Sequence, residues 1–447
     1  MGTLFGTDGI RGIANKYPVS CEVALKTGQA IGLFTKENGF NTVIIGKDTR
    51  ISGDMLESAL AAGVSSTGID VLLVGIIPTP GVAYLCSVLK NAGAGIVISA
   101  SHNPYQDNGI KIFKHGGEKL SDDQEAQIED YILNSKNVPQ GNVGRISLIS
   151  NGLKRYADFL LTMFPFKKLD KKLKLIIDCS NGAASKIGHM VFNDTLFATQ
   201  FIYDSPDGKN INKGCGSQHT QELQRLVVQK KADIGIAFDG DADRLIAVDE
   251  KGNEITGDRI LAVCAKLAKE QGNLKENIVV STIMSNIGLT KAFDSLGIDH
   301  IKSDVGDRKV LKEMKKSGAV MGGEDSGHMI FLDCHSTGDG MLSALRLLEV
   351  MVATGQSLSS LTSVMTVYPQ VLMNVEVDAS RPDFMKIKTI VDTIETIERK
   401  LADKGRVLIR YSGTQPLLRV MVEGPDQGIV EKYCLDICQS IKKSFEL

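Results

Sequence analysis

Short apolar runs rich in β-branched residues recur along much of the chain: TVIIG (42–46), VLLVGII (71–77), AGIVIS (94–99), LKLIID (173–178), ADIGIAF (232–238) and NIVVS (277–281). Their length and side-chain type predict buried strands. The segments between them repeat at helical spacing. Met55, Leu56, Ala59, Leu60 and Gly63 share one face, and Ile260, Leu261, Cys264, Leu267 and Ala268 share another. Strand and helix alternate in this way to about residue 365, which predicts α/β layers with mixed, largely parallel sheets. The end of the chain reads differently. VLMNVEVD (371–378), a long helix near 383–403, RVLIRYS (406–412), LLRVMVEG (417–424) and a helix near 427–445 predict a smaller α+β domain.

A chain of 447 residues exceeds one compact core, so two to four domains are expected. Breaks fall in the Pro/Gly/Asn-rich stretch at 136–151, after the turn DEKGNE (249–254), and at Tyr368–Pro369. They divide the chain into 1–150, 151–254, 255–367 and 368–447. Charge is nearly balanced, at −2, with Lys and Arg scattered, which argues against a nucleic-acid surface. The eight cysteines contain no CxxC pair. Cys434 and Cys438 share a helical face and read as small core residues, and Cys334–His335 has no second pair beside it. No leader and no apolar run of the ~18–20 residues a membrane span needs are seen. A soluble, cytoplasmic protein without a membrane partner is expected.

Five polar loops are read at strand ends, where ligands gather in α/β sheets. DGDADR (239–244) follows ADIGIAF. Asp239, Asp241 and Asp243 alternate with small residues, and three carboxylates this close repel unless a cation neutralises them. Oxygen ligands on a tight loop suit Mg²⁺. An acidic surface turn would look the same. A calcium loop would need flanking helices, and Glu250 at its twelfth position matches in letter only, because this loop lies between strands. SASHNPYQDNGIK (99–111) brings Ser101 out of an apolar run. The GxSxG elbow of a hydrolase is absent, and in an extended chain His102 would not aim its ring at its neighbour's hydroxyl. A phosphate-carrying serine is the other reading, and it would need a metal and cations around it. GTDGIRG (6–12) sets Asp8 and Arg11 among glycines, a phosphate-binding or merely structural turn. GGEDSGH (322–328) alternates Glu324, Ser326 and His328, and could grip vicinal sugar hydroxyls or be a polar turn. RYSGTQPLLR (410–419) gathers Arg410, Ser412, Gly413, Thr414 and Arg419 as donors for a phosphate.

Taken in order along the whole chain, GTDGIRG, SASHNP, DGDADR, GEDSGH and RYSGTQP resemble the α-D-phosphohexomutases. FGTDGIRG, VGDRKV (305–310), STGDGM (336–341) and LLRVMVEG lean towards the branch of that family that acts on glucosamine phosphates. The resemblance implies four domains around a central cleft, three α/β and a smaller C-terminal one. It implies a phosphoserine at Ser101, and one Mg²⁺ held by Asp239, Asp241, Asp243 and the phosphorylated Ser101. Glu324 and Ser326 would hold the sugar. Arg410, Ser412, Gly413, Thr414 and Arg419 would hold the distal phosphate, and Arg11, His102, Lys111 and Arg244 would line the reacting phosphoryl group. Lys111, His102 and His328 stay open as the proton-transferring base. The implied reaction interconverts glucosamine 6-phosphate and glucosamine 1-phosphate through a hexose 1,6-bisphosphate, towards UDP-N-acetylglucosamine, in a monomer or homodimer. Phosphoryl transfer is mostly positioning and charge neutralisation, which fits such a residue set.

The chain departs from the family pattern at Ala242 (commonly Gly), Asp325 (commonly Gln), Tyr411 (commonly Lys) and Gln415 (commonly Glu). Ala and Gly are both small, so metal binding should survive at 242, and the changes around the sugar and phosphate clamps bear on sugar specificity more than on the chemistry. A phosphomannomutase/phosphoglucomutase, a metal-dependent phosphatase and a non-catalytic phosphosugar-binding protein are the competing readings.

Overall fold

The computed structural model describes residues 4–6, 8–134, 141–169, 171–193, 196–378, 382–412 and 416–445. It divides into two compact units: residues 1–283 with 299–363, and residues 284–298 with 364–447.

The first unit holds three sheets. In the seven-stranded sheet the order is Phe5–Gly6, Gly9–Ile13, Asp107–Lys114, Ala92–Ile98, Thr42–Lys47, Asp70–Ile76, Ile146–Leu148. The last four run parallel, and the first three join antiparallel. Ala92–Ile98 is buried along its whole length, as expected of a strand covered on both faces. Helices Cys21–Glu37 and Gly53–Ser65 pack together through glycines. A Cβ on Gly28 would stand 2.3 Å from the Leu60 carbonyl, and one on Gly63 would stand 2.2 Å from that of Leu25. The five-stranded sheet pairs Leu173–Asp178 parallel to Phe197–Ile202 and to Ile234–Phe238, with Leu245–Asp249 and Glu254–Ile255 added antiparallel. The four-stranded sheet has Ile278–Thr282 parallel to Asp299–Ser303 and Met321–Gly323, and Met329–Phe331 antiparallel at one edge.

The second unit centres on an antiparallel sheet, Gln370–Glu376, Leu417–Glu423 and Arg406–Tyr411. Helices Lys388–Leu401 and Gln427–Ser444 cover it with Ile390, Ile394, Ile397, Val430, Cys434, Ile437 and Cys438. Asp426 caps the second of these by accepting from the Ile429 N–H at 2.9 Å. Helix Ile287–Leu296 also belongs here. Asn286 ahead of it exchanges hydrogen bonds of 2.9 and 3.0 Å with the Tyr368 backbone.

Two expected loops are shorter than the sequence pattern indicates. Gly9–Ile13 is a strand rather than a loop, so Arg11 projects from a sheet. The polar segment after Ser101 ends at Gln106, and Asp107–Lys114 is a strand pairing with Ala92–Ile98. Its buried polar residues, Asn108 and Lys111, hide the strand from a hydrophobicity pattern.

Candidate active site

Ser101 lies just beyond the end of the buried strand Ala92–Ile98, itself almost fully buried, with φ +52°. Its Oγ donates to Asp239 Oδ2. This left-handed turn also overturns the extended-chain expectation for His102, whose Nδ1 lies 3.2 Å from Ser101 Oγ and 3.1 Å from Arg244 Nη1. Burial, then Arg244 and Arg11, pushes the imidazole down to about 4, so it is neutral near pH 7.

Asp239, Asp241 and Asp243 sit on the hairpin between antiparallel strands Ile234–Phe238 and Leu245–Asp249. One carboxylate oxygen from each falls within 4.8 Å of the others, and all three residues are buried. The Ala242 backbone in the left-handed region (φ +56°) makes the turn. Burial and the charges of Asp243 and Asp241 hold Asp239 well above the usual carboxylate range. Burial also raises Asp243, but Lys111 and then His328 outweigh it and hold that carboxyl well below the usual range. Asp241 Oδ1 and Asp243 Oδ1 are buried without a hydrogen-bond partner. Three hard oxygen donors, two with orphaned oxygens, fit a divalent cation of the Mg²⁺ type.

Lys111, from strand Asp107–Lys114, reaches Asp241 at 2.7 Å, Asp243 at 3.1 Å and Asp8 at 3.3 Å. Burial would lower it, but Asp241, Asp243 and Asp8 hold it well above the ordinary lysine value. Arg11 pairs with Asp8. Asp8 also meets Lys119 at 2.5 Å, and Lys119 pairs with Asp307 of the VGDRKV stretch. His328 stands 3.6 Å from both Asp243 and Asp307. Burial would lower the imidazole, but these two carboxylates raise it. Arg244 Nε lies 3.8 Å from Asp243 Oδ1. Ser101, Arg11, His102, Lys111, Asp239, Asp241, Asp243, Arg244 and His328 therefore form one connected cluster.

Glu324 and Ser326 lie on the turn after Met321–Gly323. Ser326 Oγ donates to Glu324 Oε2 at 3.4 Å, and Glu324 Oε1 accepts from the Gly306 N–H at 3.1 Å. Asp325 turns away towards helix Gly257–Glu270, where its Oδ1 accepts from the Asp258 N–H at 3.3 Å. Its charge thus meets a helix N-terminus. In the second unit, Arg410 and Arg419 are cross-strand partners, and Ser412 N–H donates to Leu417 O at 2.8 Å. Arg419 Nε is buried without a hydrogen bond. Gly413, Thr414 and Gln415 lie outside the described residues. Tyr411 donates to the Pro382 carbonyl and packs edge-on against Phe384.

Several neighbours of the cluster escaped the sequence reading. Thr79 Oγ1 donates to Asp241 Oδ2 at 2.5 Å. Arg50 and Asn212 donate to the Ser101 carbonyl, and Asp48 fixes Arg50. Asp48 and Arg50 follow strand Thr42–Lys47, so the strand-end rule that found the other loops would have found them.

The chain belongs to the phosphoglucomutase/phosphomannomutase family. The family's α/β/α domains I, II and III match residues 2–138, 154–252 and 256–368, and its C-terminal domain matches 372–440. Within that family it is 61% identical to a phosphoglucosamine mutase of Desulforapulum autotrophicum, covering 99% of this chain and 100% of the relative. It is 50% identical to one of Syntrophobacter fumaroxidans, covering 99% of each. Among solved structures, a phosphoglucomutase/phosphomannomutase family protein from Burkholderia thailandensis superposes with a TM-score of 0.82, at 24% identity over 98% of this chain and 97% of that one. An Aspergillus fumigatus N-acetylphosphoglucosamine mutase, solved with GlcNAc-6P and magnesium, gives a TM-score of 0.69 at 16% identity, over 99% and 96%. These two establish the shared fold. Among the described residues no helix is long and apolar enough to cross a membrane.

Proposed function

We infer that this chain interconverts glucosamine 6-phosphate and glucosamine 1-phosphate, with Ser101 as the phosphate carrier. The single observation that carries the reading is Ser101 Oγ bonded to Asp239 at the rim of a buried aspartate triad ringed by Lys111, Arg11 and Arg244. The full-length phosphoglucosamine mutase relatives support the choice of sugar.

Asp239, Asp241 and Asp243, with a phosphate oxygen on Ser101, would hold one Mg²⁺. Bound there, it would neutralise charge on the transferring phosphoryl group. The remaining work falls to the chain's own side chains. Lys111, Arg11 and Arg244 supply fixed positive charge around Ser101, the main requirement of a loose phosphoryl transfer. In one half-reaction a sugar oxygen bonds phosphorus as the bond to Ser101 Oγ breaks. The sugar hydroxyl loses a proton and Ser101 Oγ gains one. All three candidate bases are engaged, Lys111 and His328 by carboxylates and His102 Nδ1 by Arg244 Nη1 at 3.1 Å; that Nδ1 also stands 3.2 Å from Ser101 Oγ, within reach of the proton. The second half-reaction reverses these steps at the other end of the 1,6-bisphosphate. Glu324 and Ser326 would hold sugar hydroxyls, and Arg410, Ser412, Gly413, Thr414 and Arg419 the phosphate that does not react.

Intact-mass analysis after incubation with a hexose 1,6-bisphosphate should show one added phosphate, mapping to Ser101 and absent in Ser101→Ala. The loaded enzyme should turn over glucosamine 6-phosphate at least tenfold more efficiently than glucose or mannose 6-phosphate. A preference for either hexose phosphate would reassign the substrate. Release of inorganic phosphate without isomer would replace the mutase with a phosphatase.

A further inference from the structure

A serine held at φ +52° is in a backbone region that L-residues with a Cβ rarely occupy, so its surroundings must hold it there. The surroundings are unusually complete. Ser101 O accepts from Arg50 Nη2 at 2.9 Å and from Asn212 Nδ2 at 2.8 Å. Asn103 O accepts from the same two nitrogens, at 2.8 and 2.9 Å, and Pro104 O from Arg50 Nη1 at 2.5 Å. Both amide hydrogens of Asn212 are spent on this loop, and so is one edge of the Arg50 fork. Arg50 is itself fixed by Asp48, Nε to Oδ2 at 2.9 Å, with both side chains fully buried. Asp48 Oδ2 also accepts from Ser99 Oγ at 2.6 Å, and Ser99 Oγ accepts from the Ser101 N–H at 2.9 Å.

The two clamps come from different sheets. Arg50 follows a strand of the seven-stranded sheet, and Asn212 lies in the loop after Phe197–Ile202 of the five-stranded one. The two sheets are joined beside the clamp: Thr49 Oγ1 donates at 2.6 Å to Asn181 O in the loop after Leu173–Asp178, and the Ile51 N–H donates to Gly208 O at 2.9 Å. The aspartate hairpin closes on the same point. A Cβ on Gly240 would stand 2.6 Å from Ser101 O and 2.8 Å from Asn212 Nδ2.

We propose that Arg50 and Asn212 are positioning residues for phosphoryl transfer. They grip the carbonyls of residues 101, 103 and 104 from two sheets, so that Ser101 Oγ stays aimed at the aspartate triad. Neither side chain donates to Oγ; both act through the backbone. The inference rests on the phosphoserine reading above.

Asn212→Asp keeps the shape of the side chain, removes both donors and sets a carboxylate against two carbonyls. Arg50→Lys keeps the charge beside Asp48 but loses the fork. Full-length protein loaded at Ser101 with a ³²P-labelled hexose 1,6-bisphosphate is freed of excess label and mixed with excess unlabelled glucosamine 6-phosphate, whose own phosphate reloads the serine, and loss of label from the protein is followed by rapid quench. The first-order rate constant counts only loaded molecules, so a misfolded fraction does not move it. Asn212→Asp should discharge at least tenfold more slowly than the unaltered chain and Arg50→Lys at an intermediate rate, with the half-saturating sugar concentration unchanged. If Asn212→Asp cannot be loaded, Arg50→Lys decides by the same criterion. Discharge at the unaltered rate in the variants, or slowing that appears only as a raised half-saturating concentration, overturns the proposal. Failure to load the unaltered chain would instead overturn the phosphoserine reading.

Discussion

Ala242, fully buried, stands where the turn between Asp241 and Asp243 needs φ +56°. The left-handed backbone costs an L-residue roughly 1–2 kcal/mol, and glycine avoids that at some entropic cost in the unfolded chain. Ala242→Gly should therefore raise stability by about 0.5–1 kcal/mol in urea unfolding. No gain would mean that the hairpin is held without strain. Two other departures from the family pattern are taken up by contacts within the protein. Asp325 faces a helix N-terminus, and Tyr411 bonds the Pro382 carbonyl. A letter-by-letter comparison raised doubt about specificity at both positions, because side-chain direction is not written in the letters. The aspartates and Ser101 were legible because like charges on a tight loop, and a serine closing an apolar run, each carry their own physical argument. Arg50 was open to the strand-end rule, but Asn212 was not, because an Asn in a loop looks the same whether it meets water or a carbonyl.

Among elements, the apolar strands were readable because parallel strands buried on both faces leave continuous runs. Asp107–Lys114 was not, since its interior carries the buried polar residues Asn108 and Lys111. Such conflicts between local pattern and fold concentrate at functional sites. The helix pair Cys21–Glu37 and Gly53–Ser65 shows the opposite case. Gly63 fell correctly on the predicted buried face, but its reason is backbone contact with the Leu25 carbonyl. Gly63→Ala should push the helices apart and cost about 1–3 kcal/mol, read as a lower denaturant midpoint. A neutral result would show that the pair separates freely.

At the scale of the whole molecule, the compact units do not follow the order of the chain. Residues 284–298 interrupt the four-stranded sheet in sequence, yet they belong with residues 364–447. Asn286 bonds Tyr368, and Arg406 Nη2 donates to Ser285 O at 2.5 Å. A chain ended at residue 363 would leave helix Ile287–Leu296 without these partners. It should melt several degrees below the full chain in a calorimetric scan. An unchanged transition for the remaining part would show that the helix stands alone. A pattern read in chain order could not anticipate this, because nothing local distinguishes a crossover helix that serves its own sheet from one that serves another unit. The joint beneath Ser101 carries a different consequence, for anyone building chimeras within the family. Ser101 and Arg50 travel together and Asn212 travels with another segment, so a graft of the first domain alone would set the serine loop against a foreign partner for half of its grip. Residues 48–51 and 203–216 form a single cassette, and parts exchanged between relatives should be cut around it rather than through it.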